Sequence, residues 1–288
     1  MSKSEQKLLD SNGKFTQVVK DGKKLKDKDW TNGRILLSNK RIILATGDGK
    51  RTVKLSNITK IDGRHGVNKA TAQVRGYVSV RENDNVFLIS TRDTEVFEKT
   101  LQKTILNGEI ILVKHPAIEG GVVQDTEWEK ARVKLDDEMV NLAAEDGSFI
   151  QIEINDVGTI EQKTKQIKSK ERPLIEAEHT EDDGTSVETH ISGNKRQCSV
   201  INSVLTQGAE KHSLSLDLDP EEKEVLMALY SGVSPFEAPQ FLDMEIDTVE
   251  DIYEKLIELD VLEEVRVRRE VALKPRGRNI ASESMNDQ

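Results

Sequence analysis

Few side chains in this chain can do covalent or metal chemistry. The 288 residues hold one cysteine, Cys198, and five histidines: His65, His115, His179, His190 and His212. His179 and His190 flank Asp183-Gly184, so a hairpin centred on that turn could set their imidazoles face to face. Two imidazoles alone make a poor metal site, because structural zinc takes four ligands. No phosphate-loop, dinucleotide-fold, H-E-x-x-H or C-x-x-C spacing occurs. Cys198 has no base partner in the sequence and reads as a quiet, semi-buried thiol. Carboxylate pairs are plentiful because acidic residues are plentiful, and none stands out as an acid–base pair. The expectation is a chain with no catalytic residues, no metal and no cofactor.

What remains is the chemistry of recognition. Lys20, Lys23, Lys24, Lys26 and Lys28 crowd the stretch "KDGKKLKDKDW" (20–30). Such a patch suits anionic lipid or an acidic protein. A second basic stretch, "LEEVRVRREVALKPRGRN" (262–279), carries Arg266, Arg268, Arg269, Arg276 and Arg278. Its Val265, Val267, Val271 and Leu273 alternate with polar residues, which reads as a two-stranded hairpin.

The elements that position these groups begin with a repeat of 98 residues. Trp30 and Trp128, the only tryptophans, open the two copies. Leu37 then matches Leu135, Ile42 matches Val140 and Leu44 matches Leu142. Asp48-Gly49 matches Asp146-Gly147. Beyond a one-residue insertion Val53, Leu55, Ile58 and Ile61 match Ile152, Ile154, Val157 and Ile160. Asp-Gly between alternating apolar runs is a hairpin signal, since glycine accepts the positive φ of a tight turn. More strands follow over 77–91 and 172–192. Each copy closes in a helix, marked by Phe97, Leu101 and Ile105 in the first and by Ile201, Val204 and Leu205 in the second. The fold class expected is α+β. Two tandem pleckstrin-homology-like β-barrel domains (1–107 and 108–212) precede a winged helix-turn-helix domain (213–288).

In that last domain Asp219-Pro220-Glu221-Glu222 starts a helix as a capping box with proline at its first position. "SGVSPFEAPQFL" (231–242) breaks it and holds a short second helix. Asp247-Thr248-Val249-Glu250 reads as another capping box, opening a third helix with Val249, Ile252, Leu256 and Leu259 on one stripe. The basic hairpin is then the wing. A DNA-reading winged helix lays its third helix in the major groove. Here Glu250, Glu254 and Glu258 stand four apart and form an acidic ridge on it. Groove binding relies on lysine and arginine neutralising phosphates, so nucleic acid is not expected and protein contacts are.

Charge divides the same way. Residues 1–107 carry 22 Lys/Arg against 12 Asp/Glu, 108–212 carry 12 against 21, and 213–288 carry 8 against 19. Such asymmetry suggests three surfaces with different partners. The first residues lack a signal-peptide core and no apolar run reaches a membrane span, which fits a cytoplasmic protein.

"LMALYSGVSPFEAPQFL", "VEDIYEKLIELDVLEEVRVRREVALKPRGRNIASE" and "FTQVVKDG…W…GRILLSNKRIILAT" resemble the archaeal taxis protein family CheF over nearly the whole chain. The resemblance implies an adaptor at the cytoplasmic base of the archaellum motor. It implies binding of the phosphorylated response regulator CheY and of the motor's switch or accessory proteins, with contacts to CheC and CheD. We place the regulator contact on the winged helix. Pro235, Phe236 and Phe241 would supply an apolar anchor, and Arg266, Arg268, Arg269, Arg276 and Arg278 would pair with carboxylates. The alternative is burial of the two phenylalanines in the domain core. The Lys20–Lys28 patch would face the motor, by charge, or lipid. A transcriptional regulator or membrane-surface protein built from the same domains is the competing function. An exposed sheet edge leaves room for a homodimer.

Overall fold

The computed structural model describes residues 4–26, 29–65, 74, 76–181, 184–215, 218–259 and 261–262, without the side chains of 64–65 and 210–215. The chain falls into two compact units, Met1–Ser215 and Leu216–Gln288.

The first unit is the repeat made visible. Its first copy runs β1 (Lys7–Lys20), β2 (Lys23–Lys24), β3 (Thr31–Ser38), β4 (Arg41–Thr46), β5 (Gly49–Lys54), β6 (Ile58–His65), β7 (Gly76–Glu82), β8 (Asn85–Thr91) and helix α1 (Thr94–Leu106). Its second copy runs β9 (Ile110–Glu119), β10 (Val122–Val123), β11 (Glu129–Leu135), β12 (Met139–Ala144), β13 (Phe149–Glu153), β14 (Ile160–Ile167), β15 (Lys170–Thr180), β16 (Ser186–Ser192) and helix α2 (Lys195–Ser215).

Each copy is an eight-stranded sheet of the same order. The first reads β5-β4-β3-β1-β8-β7-β6 and the second β13-β12-β11-β9-β16-β15-β14. The short β2 and β10 pair with the far ends of β1 and β9. Every pairing is antiparallel, and the long first strand of each copy joins both halves of its sheet.

Alternation explains the shape. Ile35 and Leu37 on β3, Ile42 and Leu44 on β4, and Val78 and Val80 on β7 are buried, with half-buried residues between them. Their counterparts Val133, Leu135, Val140, Leu142, Ile175 and Ala177 are buried too. Side chains alternate along a strand, so every second one faces the core. Asp93 caps α1 by accepting a hydrogen bond from the Val96 amide, and Phe97, Leu101 and Ile105 sit on its buried stripe.

The copies share one hydrophobic core, running from Ile35 through Leu101 to Leu142 and Leu205. α1 packs on β11 of the second copy, and α2 packs on β6 of the first. The seam is polar at its rim. Gln207 donates to the buried Glu98 carboxylate at 2.6 Å, Lys103 meets Asp137 at 2.9 Å, and Arg196 donates to the Leu55 carbonyl. Gly208 on α2 lies so close to the backbone of Ile154 that an added Cβ would stand 2.1 Å from its carbonyl oxygen.

The second unit holds α3 (Pro220–Tyr230), α4 (Ala238–Leu242) and α5 (Ile246–Glu258) around Val225, Ala238, Val249, Ile252 and Leu256. The Asp219–Glu222 capping box is present. The Asp247 box is not. α5 begins at Ile246 with Glu245 as its N-cap, so Asp247 lies inside the first turn and there meets the positive helix end as a charge. The wing expected from 262–279 lies, but for Leu262, outside the described residues, and the described part of this unit is three helices.

Candidate functional site

The histidines are not arranged as the spacing suggested. β15 and β16 pair with Ala177 opposite Thr189, which places His179 opposite Val187 and His190 opposite Glu176. Side chains alternate along a strand, so His179 and His190 point to opposite faces. His179 goes inward and is buried beside Thr189.

There it meets a residue the hairpin reading did not include. His115, from β9, lies parallel to His179 with ring centres 6.0 Å apart. The Thr189 hydroxyl bridges them, 2.7 Å from His115 Nδ1 and 2.8 Å from His179 Nε2. His115 Nε2 is 2.9 Å from a Glu181 oxygen. Burial lowers the pKa of both imidazoles, and Glu181 offsets part of this at His115.

His190 lies on the outer face. Its Nε2 is 2.5 Å from Glu188 and 3.8 Å from Glu176, and Trp128 covers it with ring centres 6.3 Å apart. Glu176, Glu188 and His190 could converge on a cation. However, Lys163 already holds Glu176 at 2.6 Å and Glu161 at the same distance. These carboxylates hold the Lys163 ammonium well above its usual range. The arrangement is a charge network across strands. Trp30 does the corresponding covering in the first copy, against Tyr77.

Cys198 is fully buried near the Pro173 carbonyl, and burial pushes its pKa up to about 11. A thiol held protonated in this way is not a nucleophile at neutral pH.

The basic patch is built on a hairpin. Asp21 and Gly22 take positive φ, 49° and 77°, and turn β1 into β2. Lys20, Lys23, Lys24 and Lys26 are all exposed on it, and Lys28 lies outside the described residues. At the equivalent place in the second copy Gly120-Gly121 turns β9 into β10 and presents Val122 and Val123, 64% and 74% exposed.

In the second unit Phe236 and Phe241 are 72% and 64% exposed, so neither is core. Pro235 beside them is exposed as well, and its carbonyl accepts a hydrogen bond from the Tyr253 hydroxyl at 2.9 Å. Met227, Tyr230 and Ile246 add further exposed apolar surface. The acidic ridge is present: Asp247, Glu250, Asp251, Glu254 and Glu258 are exposed along α5. Lys255 does not offset it, being turned to Glu222 and Asp219 at the start of α3. Arg266, Arg268, Arg269, Arg276 and Arg278 lie outside the described residues. Among the described residues no helix is long and apolar enough to cross a membrane.

Comparison with known proteins fits this division into units. Residues 7–211 match the family "Archaeal Chemotaxis signal transduction system protein F", and residues 217–286 match a domain family of unknown function, DUF8579. Taxis protein CheF1 of Halobacterium salinarum is 50% identical over 290 residues, covering all of both chains. Taxis protein CheF2 of the same organism is 23% identical, over 88% of this chain and 90% of its own. Among solved structures, the pleckstrin homology domain of ArhGAP27 aligns at 17% identity with a TM-score of 0.27, covering 34% of this chain and 99% of its own. With that family matched over most of its length and a taxis protein matched from end to end, the chain belongs to the CheF family of archaeal chemotaxis signal transduction proteins.

Proposed function

We propose that this chain is a non-enzymatic adaptor of archaeal taxis. It binds the phosphorylated response regulator CheY through its C-terminal helical unit and passes the signal to the switch complex of the archaellum motor. The observation that carries the reading is the apolar surface of that unit. Phe236, Phe241, Met227 and Tyr230 stand exposed on this unit, and none of them belongs to its described core. Exposed aromatic side chains of this kind are what partner proteins bury. The ridge of carboxylates along α5 repels nucleic acid and so speaks against a transcriptional regulator.

An adaptor reads phosphorylation only through a difference in affinity for two forms of the regulator. Arg266, Arg268, Arg269, Arg276 and Arg278 would add forked contacts to partner carboxylates. The Lys20–Lys26 hairpin is the motor-facing element, since it is an exposed basic feature of the repeat that carries the excess of Lys/Arg. The protein would then work in the cytoplasm at the motor base, with CheC and CheD as further partners.

Calorimetry of the full chain against CheY, with and without beryllofluoride as phosphoryl mimic, tests the reading. Binding that requires the mimic is the expected result. Equal affinity in both forms, or none in either, overturns it. A gel shift with duplex DNA, or co-sedimentation with anionic vesicles at low salt, would instead favour the regulator or the membrane-surface protein.

A further inference from the structure

Thr189 has one hydroxyl proton and is shared by two imidazoles. That constraint fixes every proton in the group. The Glu181 carboxylate accepts from His115 Nε2, so that nitrogen carries a hydrogen. In the neutral ring Nδ1 is then bare and accepts from the Thr189 hydroxyl. The Thr189 oxygen in turn accepts from His179 Nε2. The chain of donors runs in one direction, from His179 through Thr189 to His115 and out to Glu181.

We propose that His115, Thr189 and His179 form a proton-operated latch that holds the hairpin end of the second repeat closed. They tie together β9, β15 and β16, three strands that pair side by side. β9 and β16 also shift register between Glu188 and His190, so the ladder is interrupted beside Thr189 and the side chains bridge the gap.

One added proton can be absorbed by reversing the chain. His115 Nδ1 then donates to Thr189, Thr189 donates to His179 Nε2, and His179 Nδ1 turns its hydrogen to the Thr180 carbonyl, 3.4 Å away. A second proton cannot be absorbed. Two N–H groups would face the Thr189 oxygen, its own hydrogen would lose its acceptor, and two parallel cations would stand 6.0 Å apart. An unmet donor in a buried site is costly.

The charged groups facing the pair are Glu181 after β15, Glu119 on β9 and Asp156 before β14, whose carboxylate accepts from the Thr180 amide. These favour the cations. Burial outweighs them at both rings, so both pKa values lie below the ordinary value. The sign follows from linkage. A histidine lowered in the folded state contributes stability that is present above the unfolded value of about 6.5 and is lost as pH falls below it.

Histidine 15N spectra and amide hydrogen exchange on the full chain test the latch. At pH about 7.5 both rings should be Nε2–H tautomers, the His type being the one that titrates in this window. Between pH about 7.5 and 5.5, corrected amide protection in β9 and β16 should fall at least about tenfold more than in β1 and β8 of the same molecule. In Thr189→Val that excess should vanish. If this variant does not fold, the wild-type spectra still decide. A His115 Nδ1–H tautomer at neutral pH, or equal protection changes in the two repeats, overturns the proposal.

Discussion

In the first repeat Ile89 faces Phe15 and Val78, and two residues earlier Phe87 fills the sheet with its ring, under the Arg51 guanidinium at 5.4 Å. In the second repeat Ile191 faces Val113 and Ile175, and two residues earlier stands Thr189 between two histidines. The strands and their order are the same. The first repeat closes this end with a fully buried phenylalanine, which has no polar requirement. The second closes it with hydrogen bonds that can absorb one added proton by reversing and cannot absorb a second. The hairpins beyond differ as sharply, four exposed lysines against a Gly-Gly turn with two exposed valines. A duplicated sheet keeps its core alternation, because burial punishes change there. The hairpin tips are exposed, so substitution there meets no such penalty.

That contrast can be broken in order of effect. Phe87→Ala removes the largest buried ring of the first sheet and should cost about 3–5 kcal/mol, read by chemical denaturation. Thr189→Val leaves the volume and deletes the hydroxyl, so two buried imidazoles lose their common partner. The expected cost is about 1–3 kcal/mol. A loss from Thr189→Val as large as that from Phe87→Ala would mean the polar end is as integral as the apolar one. Replacing Lys20, Lys23, Lys24 and Lys26 by glutamate should move stability by less than about 1 kcal/mol, since the side chains are exposed. It should nevertheless abolish pull-down of the motor proteins. Phe236→Ala with Phe241→Ala should change stability by no more than about 0.5 kcal/mol, because neither ring is core. A larger loss would return both phenylalanines to the domain interior.

The repeat was legible in the sequence because its signals are local. Trp30 and Trp128, the Asp-Gly turns and the two-residue alternation all act within a hairpin's length, and the paired positions Leu44/Leu142 and Val53/Ile152 are buried in both copies. The α3 capping box was legible for the same reason. The start of α5 was not, since its N-cap is Glu245, two residues before Asp247, and acidic residues such as Asp247 suit the first turn of a helix as well as its cap. The histidine site was misread. A turn signal at Asp183-Gly184 does not fix register, and three residues of slip put His179 and His190 on opposite faces. His115 comes from a strand 74 residues before Thr189, and no local pattern marks that meeting. The shared core of the two repeats was likewise invisible, because buried stripes on α1 and α2 do not say which sheet they cover. For Phe236 and Phe241 the sequence left core and surface open, and the fold places them on the surface.

The two proposed recognition surfaces are separate, the regulator's on the helical unit and the motor's on the basic hairpin. The most direct test of that separation is calorimetry of beryllofluoride-treated CheY against two full-length variants. Phe236→Ala with Phe241→Ala should weaken binding at least about tenfold, roughly 1.4 kcal/mol. The four-lysine glutamate variant should bind as the parent does. Unchanged affinity in the phenylalanine variant, or a loss confined to the lysine variant, would contradict the account.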